Sequence, residues 1–174
     1  MKKTLLGLTF ASLFMAGAVQ AEDHSATIDI SGNVTADQME CTVYTDFSTV
    51  NLSGKIADLP SQGGNATNDA ALLSYTVGSS DSAQSCYGKV ALQFHGIPDQ
   101  ADGTVLENSD TSATAAKGVG IGIYDSHLNP LFVNVKTLEP QANGQIYLQM
   151  VKLNGQTPVE GSVHGSLTID IVRL

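Results

Sequence analysis

The sequence predicts an all-β fold: short antiparallel strands packed as two layers. Three observations carry this. Apolar residues recur at every second position over short runs, such as "VALQF" and "SLTID", the period of a strand with one face in a core. Clusters rich in Gly, Pro, Asn, Asp and Ser separate the runs, and all five prolines fall in those clusters, where a missing ladder donor costs nothing. No apolar pattern of helical period lasts beyond two turns after residue 21.

The chain begins with a different signal. Lys2 and Lys3 precede the apolar run "LLGLTFASLFMAGAV", and "VQA" supplies small residues for cleavage after Ala21. This is the pattern of a secretory signal peptide over residues 1–21, too short to span a bilayer. Removing it from 174 residues leaves 153, enough for one domain with its own core. It also takes the basic count from 8 to 6 against 17 acidic residues, a net charge of −11. A surface of that sign repels phosphate and argues against nucleic acid or anionic lipid as a partner.

The strands then follow in order. "ATIDISGNV" at 26–34 places Ala26, Ile28, Ile30, Gly32 and Val34 on one face and only polar residues on the other. "CTVYT" at 41–45, "VNL" at 50–52 and "LLSYTV" ending at Val77 come next. "KVALQF" at 89–94 points Val90, Leu92 and Phe94 one way, and "GVGIGIYD" at 118–125 does the same with Val119, Ile121 and Ile123. "LFVNV" at 131–135, "QIYLQMVKL" at 145–153 and "SLTIDIV" at 166–172 complete the set. Asp110–Lys117 reads as a loop. Many short strands with regular breaks suggest an immunoglobulin-like sandwich.

Cys41 and Cys86 are the only cysteines. In an exported chain two cysteines form one disulfide. Neither lies in a CxxC or CxxH spacing that would suggest a metal or a reactive thiol.

Catalytic signals are missing from the pattern. His24, His95, His127 and His164 are scattered, with no HxH or HExxH spacing. There is no GxSxG elbow. "GVGIG" is glycine-rich, but strand rather than helix follows it, so it is no phosphate cradle. Its glycines fit the outward face of a strand. Asp99–Asp110 does not match a calcium loop. The sequence therefore suggests no enzyme, no metal and no cofactor.

The remaining feature is an alternating strand at each end of the chain. In that arrangement the sequence resembles the chaperone–usher pilins, in particular type 1-like fimbrial subunits. "TIDISGNV" is similar to the family's N-terminal extension, which ends in a glycine. Cys41 stands where the first domain strand opens, and "VNLSGKIADL" is similar to the stretch between the cysteines. "SYTVGSSDSAQSC" resembles the approach to the second cysteine, and "VALQFHGIPD" and "VGIGIYD" resemble two core strands. Gly161 is the fourteenth residue from the end, where the family has a glycine, and Leu167, Ile169 and Ile171 follow in alternation. Arg173 departs from the aromatic residue usual at the penultimate position.

This resemblance implies an incomplete immunoglobulin-like sandwich, completed by a donor strand from a neighbouring subunit or a chaperone. Residues 22–34 would be the N-terminal extension, donating Ala26, Ile28, Ile30, Gly32 and Val34. Residues 35–174 would be the pilin domain, with an acceptor groove containing Gly161, Val163, Leu167, Ile169 and Ile171. The implied partners are other subunits in a head-to-tail polymer, a periplasmic chaperone, an outer-membrane usher and, through the fibre, a host surface. The implied route runs through the periplasm to the cell surface. Whether such a subunit is major, minor or terminating is open. The alternative is a self-complete, lectin-like module of the periplasm or medium, which would need an exposed aromatic platform for sugar.

Overall fold

A computed structural model describes residue 31, residues 40–80 and residues 85–174. The expected signal peptide and Ala26, Ile28, Ile30, Gly32 and Val34 lie outside these residues. The described chain is all-β apart from one 3-10 turn at Ile56–Asp58.

Eight strands form two antiparallel sheets. They are β1 (Cys41–Thr45), β2 (Ala71–Ser79), β3 (Val90–His95), β4 (Val119–Tyr124), β5 (Pro130–Leu131), β6 (Thr137–Leu138), β7 (Asn143–Lys152) and β8 (Thr168–Arg173). The larger sheet runs β1-β2-β7-β4-β5, and the smaller runs β6-β3-β8. The alternating faces set the packing. Val90, Leu92, Phe94 and Ile146 are fully buried, and Ile121, Ile123, Leu73 and Leu148 close around them. The layers meet in one main core that takes side chains from β2, β3, β4, β5 and β7.

Two expected strands fail. "VNL" forms no strand; Val50 and Leu52 pack on the main core from an irregular segment. In "LFVNV" only Leu131 is strand. Asn134 takes a left-handed conformation (φ 60°), which asparagine tolerates better than most residues. Its backbone N–H donates to Phe94 O and its side chain bonds Gly96, so the segment turns. β6 gave no signal, because a two-residue strand has no period to read.

The glycines of "GVGIG" have a packing reason. β4 is buried on both faces. On its outer face the Tyr124 ring folds back over Gly122, where a Cβ would lie 2.8 Å from a ring carbon. Val105 comes as close to Gly120. Tyr124, Val105, Val151 and Leu153 thus make a second small core under the loops. Burial there pushes the Tyr124 hydroxyl up to about 12.

Asp99 organises one of those loops. It is 4% exposed. Its carboxylate accepts from the backbone amides of Ala101, Asp102, Thr104 and Val105 and from the Gln62 side chain at 2.8–3.1 Å. Burial alone would raise this carboxyl; the donated hydrogen bonds outweigh it and hold it below the ordinary value. The group is engaged by its own loop and by Gln62.

Candidate functional site

The site follows from which strand edges are left over. β8 pairs with β3, and β1 pairs with β2. Among the described residues, no strand pairs with the other edge of either. β1 and β8 belong to different sheets, yet they approach each other along one side of the sandwich. The two layers are therefore not bridged by a shared ladder there. A strand edge without a partner strand presents backbone N–H and C=O groups that another strand can pair with.

The core is less covered along this side. Val43 of β1, Val77 of β2, and Leu167, Ile169 and Ile171 at the C-terminus all pack on the main core. Each is only half-buried, whereas Leu92 and Phe94 one strand away are fully enclosed. The alternation in "SLTIDIV" thus points Ile169 and Ile171 at a strip of core that the chain covers incompletely.

Each end of the strip is fixed. At one end Cys41 and Cys86 form a disulfide, with Cα atoms 6.0 Å apart. It joins the start of β1 to the residues just before β3, and so ties one sheet to the other. Cys86 packs beside Val90, with Val77 and Ile171 against them. Toward the other end, Gly161 and Val163 precede β8. Ala116 N–H donates to Ser162 O, and Ser162 N–H donates to Thr114 O, so segment 159–163 is pinned to segment 114–117. Gly161 makes that approach possible, since a Cβ there would strike Thr114 O and Ala116 N. Val163 belongs to the main core and also lines a cleft of about 370 Å³ with Leu59, Val119 and Met150.

The outer face of the strip is polar. His95 Nε2 lies 3.5 Å from Asp170 Oδ2, bracing β3 to β8, and His95 Nδ1 meets Asn134 Oδ1 at 2.9 Å. His127 sits in the turn after β4, and the backbone of His164 bonds Asn108 and Ser109. Among the described residues, no three His, Cys, Asp or Glu side chains gather as metal ligands.

The structure packs Val163, Leu167, Ile169 and Ile171 on the same core as β1 residue Val43; Gly161 lies against segment 114–117 instead. Sequence reading missed Val43, Val77 and the pocket residues Leu59 and Met150. Val43 and Val77 carried a strand period, but their place beside β8 depends on sheet order.

The architecture is an antiparallel sandwich in which, among the described residues, two edges carry no partner strand over a half-covered core. It is similar in fold to a crystal structure of the P pilus rod subunit PapA (TM-score 0.51, 12% identity, 84% of this chain and 100% of that chain). The fimbrial protein family model matches residues 28–172, so the chain belongs to the fimbrial protein family. It is also similar to long polar fimbria protein A of Salmonella typhimurium, 29% identical over 150 residues, or 85% of this chain and 82% of that protein. The protein is a structural subunit of a cell-surface fimbria and polymerises with other subunits.

Proposed function

We propose that the fimbria is built by donor-strand exchange into the strip between β1 and β8. The observation that supports this most is the half-burial of Leu167, Ile169 and Ile171 beside two unpaired edges. An added strand would satisfy backbone groups on both edges, and its alternate side chains would fill the gaps in the core. Residues 26–34 of the next subunit have the required alternation, with Ala26, Ile28, Ile30 and Val34 as plugs and Gly32 at a close approach. The pilin domain then spans residues 35–174, preceded by the extension 22–34 and the cleaved signal 1–21. Such a contact is head-to-tail and does not close on itself, so it propagates a filament.

An apolar strip of this kind is an aggregation hazard before assembly. The chain therefore requires a periplasmic chaperone to cover the strip and an outer-membrane usher where the exchange takes place. The role is structural, without catalysis.

The test is thermal unfolding of a domain truncated before Thr35, with and without a peptide of residues 23–34. Donor-strand exchange predicts a large upward shift of the midpoint with peptide. A domain already stable, and unchanged by the peptide, would mean that the sandwich completes itself.

A further inference from the structure

A second concavity lies at the end of the larger sheet and shares no residue with the strip between β1 and β8. It has a volume of about 490 Å³, within the range of small-molecule sites. Its floor is the cross-strand pair Tyr75–Gly144. A Cβ at Gly144 would collide with the Tyr75 ring, so glycine leaves that space to the aromatic ring. One wall is the turn after β4. Asp125 fixes it by accepting from the backbone amides of His127 and Asn129 and from the Asn129 side chain. The other wall is the link from β6 to β7. Fully buried Pro140 anchors it, Ala142 O accepts from Val77 N–H, and Asn143 bonds Thr76. The walls are therefore set in advance.

Three side chains lining this fixed cleft have no hydrogen-bond partner among the described residues: Glu139, Gln141 and Gln145. Their chemistry narrows the ligand. His127 is the only lining group that can carry positive charge, and the chain is strongly acidic, so anions are disfavoured. Asp125 has its oxygens engaged in its own turn, so a cation finds one free carboxylate. Apolar ligands would leave the amides unpaired, at a cost. Two amides and a carboxylate offer both donors and acceptors in planar pairs, which suits the adjacent hydroxyls of a sugar.

We infer that this cleft binds a neutral saccharide, through Glu139, Gln141 and Gln145. The cleft shares no lining residue with the strip, so a donor strand seated there leaves its lining in place.

The test uses assembled fimbriae on an array of neutral and sialylated oligosaccharides. Wild-type fimbriae should retain neutral glycans and not sialylated ones. Fimbriae of the double variant Gln141→Ala, Gln145→Ala should lose about tenfold in affinity; both positions are exposed. Failure to retain any neutral glycan overturns the inference. So does retention indifferent to the double variant. Binding of spermidine that disappears in Glu139→Gln, with no glycan bound, would make the cleft an amine site instead.

Discussion

At the scale of residues, two side-chain environments make sharp predictions. The Asp99 carboxylate satisfies four backbone amides and one side-chain amide in a nearly closed site. Removing it strands those donors. Asp99→Ala should destabilise the domain by about 3 kcal/mol, read by denaturant unfolding at neutral pH. The pH dependence follows from the sign of the shift. The folded carboxyl titrates below its ordinary value of 3.8, so its stabilisation is fully present above that value and is lost as pH falls through the lower, folded value. Asp99→Asn should therefore be less stable than wild type at neutral pH, and the gap should narrow on acidification below about pH 4. Unfolding midpoints of both proteins across that range check this. Gly161 is the second case. Gly161→Ala forces a Cβ into the backbone of Thr114 and Ala116, which cannot rotate aside as a side chain would. A loss of roughly 1–3 kcal/mol is expected, together with reduced fimbrial yield.

At the scale of elements, β8 and the disulfide matter most. Ile169 packs on the main core yet is only half-buried in the single chain. Ile169→Ala should cost little in an isolated subunit and about 2–4 kcal/mol once a donor strand covers the site. Unfolding measured with and without the 23–34 peptide separates the two values. The Cys41–Cys86 bridge spans 45 positions and joins the two sheets. Replacing both cysteines by serine should destabilise the domain by about 4 kcal/mol on the loop-entropy account. Reading these elements from sequence had uneven success for physical reasons. β1 was legible to the residue, and β3, β4, β7 and β8 to within about two, because each turns alternate apolar residues to the main core and so carries a clean period. "LFVNV" carried the same period and is mostly turn, because Asn134 finds better partners on Gly96 and Phe94 than a ladder would give it.

At the scale of the whole molecule, the fibre requires one chain to complete another. If residues 26–34 are the donor, Ile30→Asp should abolish fimbria formation while leaving the midpoint of the 35–174 domain untouched, since the mutated residue lies outside it. Electron microscopy of cells and unfolding of the purified domain together check this. A variant that instead unfolds its own domain would place the segment inside its own sandwich.

The sequence by itself determined the layered β architecture, the disulfide, and the inward faces of β3, β4 and β8. Those depend on local period and on residue chemistry, which a single chain displays in order. Only the tertiary structure decided that β1 and β8 face each other as edges of different sheets, since sheet order is set by pairings between distant segments. It alone showed why Gly120 and Gly122 are glycines, because the second core they admit is assembled from loops far along the chain. It alone brought Tyr75, Glu139, Gln141 and Gln145 to one cleft. No spacing in the sequence encodes that meeting; it arises from how β2 and β7 pair and where the links between strands cross.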